Sequence, residues 1–116
     1  MEGPALKSSI QYNSEHQFPL ENIPFGAFYS GEGEINCCTR IGDYVIDLAV
    51  IERAGLFNGP LFGKLDRKDI FSQKTLNVFI ALGKPYWTEA RETIQKLFTE
   101  GYELNEDVRK QGLNPV

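Results

Sequence analysis

Histidine, the commonest general base in enzymes, occurs once in this sequence of 116 residues, at His16. It lies in a polar stretch between Glu15 and Gln17. A nucleophile that is activated by a base needs that base beside it, and the sequence offers no second imidazole for the role. We interpret His16 as a solvated side chain rather than as a ligand or a general base.

The two cysteines, Cys37 and Cys38, are neighbours in the sequence. Successive residues of a β-strand point to opposite faces, so a disulfide between these two would require distortion of the strand. The single histidine is the one imidazole that could activate either thiol. The sequence therefore predicts two reduced thiols, one in the core and one a bystander.

Carboxylates are the remaining candidates for chemistry, as ligands of a hard cation. Four of them lie close together along the chain: Glu32, Glu34, Asp43 and Asp47. Their spacing fits no calcium-loop pattern, and roles in turns and in helix capping account for them. The glycines form no phosphate-binding fingerprint, and the apolar stripe around Trp87 is typical of a core. We expect no catalytic, cofactor-binding or metal-binding residue in this chain.

Charge and composition exclude several classes of protein. The net charge is −4 and the pI is near 5.0, whereas binding to nucleic acid or to an acidic membrane surface needs clustered Lys and Arg. No run approaches the roughly 20 apolar residues of a membrane span, and residues 1–17 lack the apolar centre of a secretory signal. We expect one cytoplasmic domain that binds neither nucleic acid nor membrane.

The clearest structural signal is a β-hairpin whose loop is Gly42 and Asp43. Glycine in the first position of a two-residue loop supplies the positive φ of a type II′ turn. Arg40 would then oppose Val45 and lie diagonal to Asp47, within reach of an ion pair. The predicted register pairs Ile41 with Tyr44, Thr39 with Ile46, and Cys37 with Leu48.

Further elements are predicted on either side of the hairpin. Residues 27–30 and 35–41 are expected to form strands around an exposed turn, after an extended segment over residues 18–26 that wraps the core. The meander thus has three or more strands. Asp47 is placed to cap a short helix that ends at Gly55. The following loop, residues 56–69, holds buried apolar anchors.

Two helices are expected in the second half of the chain, and they would form a helical hairpin. The first covers residues 72–82, with Leu76, Phe79 and Ile80 on one face and Gly83 at its end. The second begins near Pro85, and its apolar residues recur at helical spacing: Trp87, Ala90, Ile94, Leu97 and Phe98. It closes at Gly101. Residues 105–116, in which Asn105 caps a turn, are expected to behave as a linker.

The residues by themselves predict a soluble α+β domain without a self-contained active site. Five blocks, in this order and spacing, resemble the amino-terminal domain of the fumarylacetoacetase family. They are residues 18–28 (FPLENIPFGAF), 40–48 (RIGDYVIDL), 57–60 (FNGP), 75–83 (TLNVFIALG) and 87–91 (WTEAR). The resemblance covers residues 16–110, which is nearly the whole chain.

The resemblance implies a small SH3-like β-barrel followed by a C-terminal helical hairpin. The implied domain covers residues 18–104, after a flexible arm over residues 1–17 and before a linker over residues 105–116. A larger catalytic domain would follow and would be its partner. The family enzyme, expected to be a homodimer, hydrolyses a carbon–carbon bond of 4-fumarylacetoacetate to give fumarate and acetoacetate in tyrosine and phenylalanine catabolism. Its carboxylate-bound Ca²⁺ or Mg²⁺ and its His-carboxylate pair belong to the larger domain, so no such residue is assigned to this chain.

Two functions stay open on the sequence. In the first, the chain is a non-catalytic domain that packs on the catalytic domain and supports assembly. In the second, it is an independent SH3-like module that binds a peptide or another protein. Fold analogy alone supports the second function. Its groove candidates are Phe25, Phe28, Tyr29 and Tyr44, which core packing explains more readily.

Overall fold

The computed structural model of the chain describes residues 23–29, 35–66, 69–99 and 102–115. Within these ranges the chain forms four strands, four α-helices and one short 3₁₀ helix. In chain order they are β1 (Phe25–Tyr29), β2 (Ile35–Ile41), β3 (Tyr44–Asp47), α1 (Leu48–Arg53), the 3₁₀ helix (Phe62–Lys64), α2 (Asn77–Leu82), α3 (Lys84–Leu97), α4 (Glu106–Gly112) and β4 (Leu113–Pro115).

Several sequence-based predictions lie outside the described residues. They are the arm over residues 1–17 with His16, the first part of the extended segment over residues 18–26, and the turn with Glu32 and Glu34. These predictions stay as they are. The predicted helix end at Gly101 is wrong, because α3 already ends at Leu97.

The strands form one antiparallel sheet in the order β1-β2-β3-β4. β1 pairs with β2 from Phe25 opposite Thr39 to Tyr29 opposite Ile35, and β3 pairs with the other edge of β2. The predicted meander is therefore confirmed. Within the described ranges the sheet is open, with β1 and β4 at its edges. The α+β class is confirmed, whereas the closed SH3-like barrel stays a prediction.

The end of the chain differs from the linker that its composition suggests. Asn105 does cap α4, because its Oδ1 accepts hydrogen bonds from the amides of Asp107 at 2.9 Å and Val108 at 3.3 Å. α4 then packs against α1, and β4 joins the sheet with Leu113 opposite Ile46. The segment is polar in sequence but is held by a strand and a helix that are distant in sequence. A connection to a further domain stays a prediction.

α2 begins at Asn77 and is thus shorter than the helix predicted over residues 72–82. The residues before it use their backbone groups elsewhere. The carbonyl of Phe71 accepts a hydrogen bond from the amide of Cys37 at 3.2 Å, and the Cys37 thiol donates to the carbonyl of Thr75 at 3.4 Å. These hydrogen bonds to β2 hold the segment in an irregular conformation. They would be lost if the segment formed a helix.

α2 and α3 contact each other on either side of Gly83, whose φ of 96° lies in the region that favours glycine. The indole nitrogen of Trp87 donates to the carbonyl of Phe79 at 3.0 Å, which ties α3 to α2. Phe79 is buried, whereas Ile80, which the sequence places on the same helix face, is 52% exposed. Successive residues of a helix point about 100° apart, so Ile80 points away from the core when Phe79 points into it. The helical hairpin stays a prediction.

The core lies between the sheet and the helices, and the loop over residues 56–69 contributes to it. Phe57 and Phe62 are buried, as the sequence predicts for the anchors of this loop. Their rings pack with that of Phe71, with ring centroids 4.6 Å apart for Phe57 and 6.0 Å apart for Phe62. The predicted apolar stripe of α3 faces this core through Ala90, Ile94 and Leu97.

Candidate functional site

The β2–β3 hairpin forms in the predicted register. The pairs are Ile41 with Tyr44, Arg40 with Val45, and Thr39 with Ile46. Gly42 has a φ of 58°, and Asp43 has no positive φ, which is the combination of a type II′ turn. Arg40 Nε donates to the carbonyl of Gly42 at 3.2 Å. The ion pair of Arg40 with Asp47 stays a prediction.

Asp47 joins the hairpin to α1, as predicted. Its Oδ1 accepts from the amide of Ala49 at 3.0 Å, and its Oδ2 accepts from Nδ2 of Asn36 at 3.2 Å. Both oxygens of this buried carboxylate are therefore used within the fold. The predicted pairing of Cys37 with Leu48 is wrong, because Leu48 is already the first residue of α1.

No cation site is formed by the candidate carboxylates in the part of the chain that the structure describes. Asp43 is exposed at the turn, and Asp47 is engaged by Asn36 and Ala49. Across the described ranges no group of three His, Cys, Asp or Glu side chains could hold a metal ion. The described residues therefore do not fit the donor set that Ca²⁺ or Mg²⁺ needs.

Both cysteines are free thiols in the interior. Cys37 is fully buried and donates to backbone carbonyls, whereas Cys38 is 9% exposed and so is buried as well. Burial raises the pKa of the Cys37 thiol and raises the pKa of Cys38 to about 11. Because the thiolate is the reactive form, both side chains stay protonated near neutral pH and serve packing. The prediction of two reduced thiols is confirmed.

Glu89 on α3 makes contacts that sequence reasoning missed. Its carboxylate accepts from the amide of Leu61 at 3.0 Å and from the amide of Phe62 at 2.7 Å. A Cβ at Gly59 would lie 2.6 Å from Cδ of Glu89, so glycine lets the loop pass this close. Gly59 and Glu89 both fall in blocks that carry the family resemblance, and that is the signal that marks them. The pair of amides is an anion site occupied by the chain's own carboxylate.

Glu52 near the end of α1 holds the chain just after the same loop. One carboxylate oxygen accepts from the amide of Phe71 at 2.9 Å, and the other accepts from the hydroxyl of Ser72 at 3.1 Å. Burial raises the pKa of Glu52, and the negative charge of Asp69 adds to the effect. Glu52 also lines a cavity of about 200 Å³ with Phe57 and other residues. Its oxygens bond within the chain, so we assign it a structural role that no motif signals.

The aromatic candidates for a peptide groove do not share one environment. Phe25 packs its ring on Phe79 with centroids 4.8 Å apart, and Tyr44 packs against the core. Phe28 is half-buried, whereas Tyr29 is 66% exposed. Packing thus accounts for two of the four, and no described contact brings the four together into a groove.

An apolar groove of about 440 Å³ lies beside α2. It is lined by Leu65, Ile70, Asn77, Val78, Ala81 and Leu82, and we call it the α2 groove. The lining holds one amide and no charged side chain, so it offers shape and apolar surface but no acid, base or nucleophile. Among the helices in the described ranges, none combines the length and apolar character needed to cross a membrane.

Comparison with known proteins gives one family. Residues 21–116 match the family model described as fumarylacetoacetase N-terminal. The fumarylacetoacetase of Oryza sativa subsp. japonica is 39% identical over 118 aligned positions, which cover 96% of this chain and 27% of the rice protein. That of Arabidopsis thaliana is 41% identical and covers 88% and 24%, and that of Homo sapiens is 38% identical and covers 79% and 21%. The chain spans about a quarter of the length of these curated relatives.

Proposed function

Because the chain belongs to the fumarylacetoacetase N-terminal family, we propose that it is the non-catalytic amino-terminal domain of a fumarylacetoacetase. Its role is to pack on the catalytic domain and to support the assembly of that domain. The parent enzyme hydrolyses 4-fumarylacetoacetate to fumarate and acetoacetate, within the catabolism of tyrosine and phenylalanine.

One observation carries this proposal. The match to the rice relative extends over 96% of this chain but over only 27% of that protein, so the relative has a large part with no counterpart here. The contacts of the acidic side chains agree with a structural role. Both carboxylate oxygens of Asp47, of Glu52 and of Glu89 accept hydrogen bonds from amide or hydroxyl groups of the chain itself.

The finer features of the parent enzyme are part of the same proposal. They are an SH3-like barrel that includes the described sheet, a helical hairpin of α2 and α3, a homodimeric enzyme and a location in the cytoplasm. Ca²⁺ or Mg²⁺ would be held by carboxylates of the catalytic domain, as the family resemblance implies.

The test compares the 116-residue chain with a joined protein, in which the chain replaces the matched segment of the rice fumarylacetoacetase. Each protein is mixed with fumarylacetoacetate and Mg²⁺ or Ca²⁺, and the release of fumarate is measured. We expect fumarate from the joined protein and none from the chain alone. The rice protein without its matched segment is the control, and we expect it to have a lower Tm than the joined protein.

Two results would contradict the proposal. Fumarate release by the chain alone would show that it carries catalysis. A joined protein that is inactive and no more stable than the shortened rice protein would show that the chain does not support assembly.

A further inference from the structure

α2 differs from the other surface helices in what it exposes. None of its residues is charged, and those it exposes are Asn77, Ile80 and Ala81. These three lie three and four positions apart, so they form one continuous face of the helix. A helix at the surface of a globular protein normally turns charged and polar residues outward. α3 does so with Lys84, Arg91, Glu92 and Lys96.

Ile80 continues the α2 groove across this face. Asn77, which lines the groove, is three positions before Ile80 and so adjoins it on the helix surface, and Ala81, which also lines the groove, follows Ile80 in the sequence. We call the groove and Ile80 together the α2 surface. The other large apolar side chains that are exposed in the described ranges have different settings. Tyr29 and Ile35 pair with each other across two strands, and Tyr102 lines a hollow of mixed character in which Glu103 and Asn105 are polar.

The relatives indicate what covers this surface. About three-quarters of each relative lies outside the matched segment, since the match covers 27% of the rice protein and 21% of the human protein. A chain of that additional length folds beside the matched segment and is present at the high local concentration that a covalent link creates. An apolar surface without charges suits a permanent contact within one chain rather than a transient one.

We propose that the α2 surface, the α2 groove together with Ile80, is where the remainder of the parent fumarylacetoacetase packs on this domain. This inference rests on the proposed function and assigns the contact to named residues. Ile80 is thus buried in the whole enzyme, although it is exposed in this chain.

The test measures protection of an introduced thiol in the joined protein defined above. Ile80→Cys places a thiol on the α2 surface, and Thr88→Cys places one at an exposed position of α3 as the matched control. The natural thiols Cys37 and Cys38 are buried, so the protein without either substitution gives the background of labelling by iodoacetamide. We expect the Ile80→Cys thiol to react at least tenfold more slowly than the Thr88→Cys thiol in the joined protein.

The same two variants of the 116-residue chain give the reference, and there we expect the two introduced thiols to react at similar rates. Ala81→Cys is a second position on the same surface, and its small change in volume guards against misfolding of a single variant. Protection of the Ala81→Cys thiol in the joined protein would support the inference in the same way.

Three outcomes would overturn the inference. Equal labelling of the Ile80→Cys and Thr88→Cys thiols in an active joined protein would leave the proposed function standing and would exclude this surface as the contact. Protection in the chain alone that increases with its concentration would assign the surface to a second copy of the chain. An inactive joined protein that gains no stability would remove the proposed function and the inference together.

Discussion

At the scale of single residues, the carboxylates of this chain act on its own backbone. Glu52 and Glu89 hold two points of the segment between α1 and α2, and Asp47 caps α1. Hydrogen bonds from backbone amides to a charged carboxylate are stronger than those between neutral groups. Such contacts fix a loop in place, and they leave these oxygens engaged rather than presented to a substrate.

Glu52 gives a pH dependence that can be measured. Burial raises its pKa in the folded chain above the ordinary value, so the folded state favours the protonated form more than the unfolded state does. Its contribution to stability is therefore greatest at acidic pH and is lost as the pH rises through the raised pKa. We expect the free energy of unfolding of Glu52→Gln, relative to that of the natural chain, to increase from pH 4 to pH 7.

The measurement is urea unfolding of both proteins at several pH values across that window. Glu92→Gln removes one negative charge from an exposed position of α3 and is the matched control. A relative stability of Glu52→Gln that decreases with pH would mean that the bonds from Phe71 and Ser72 outweigh the burial of the charge.

At the scale of elements, the β2–β3 hairpin is determined by its turn. Gly42 takes a φ of 58°, whereas Asp43 keeps an ordinary backbone conformation. The turn sets a register in which Thr39 and Ile46 face each other and are both buried. A slip by one residue would send each of these side chains to the opposite face of the sheet.

Gly42→Val tests this dependence on the turn. A β-branched residue is disfavoured at positive φ, and strain of this kind costs of order 1–3 kcal/mol. We expect the free energy of unfolding to decrease by that amount, measured by urea denaturation. Asp43→Val is the matched control, because it places the same side chain at the other turn position, where φ is not positive. Equal effects of the two substitutions would contradict the assignment of a type II′ turn.

At the scale of the whole molecule, the chain returns to its own sheet after four α-helices. β4 pairs with β3, and α4 packs against α1. The last described residues therefore pack against elements from the first half of the chain. Leu113 is half-buried against the core and lies opposite Ile46. The contacts that define this end of the domain are therefore non-local ones.

Leu113→Ala measures how firmly the end of the chain is attached. Replacing a buried leucine by alanine costs about 2–5 kcal/mol, so this half-buried one should cost about 1–2 kcal/mol. Gln111→Ala, at an exposed position of the same segment, is the matched control and should change stability little. Urea unfolding measures both. Two neutral substitutions would show that the segment is a linker, as its composition suggests.

The sequence by itself determined the features that depend on neighbouring residues. The turn at Gly42, the caps at Asp47 and Asn105, the apolar stripe of α3 and the family resemblance all follow from short stretches. In each case local backbone geometry or helical spacing limits the chain to few conformations. The reduced state of the thiols and the α+β class could be predicted for the same reason.

The tertiary structure alone decided the features that join distant parts of the chain. The pairing of Ile46 with Leu113, the contact of Glu89 with the loop at Leu61 and the irregular path before α2 each depend on partners far apart in sequence. The apolar spacing around Ile80 shows which residues favour burial, but the neighbours that the fold brings to α2 decide whether it is buried. Packing between elements overrides local preference at these positions.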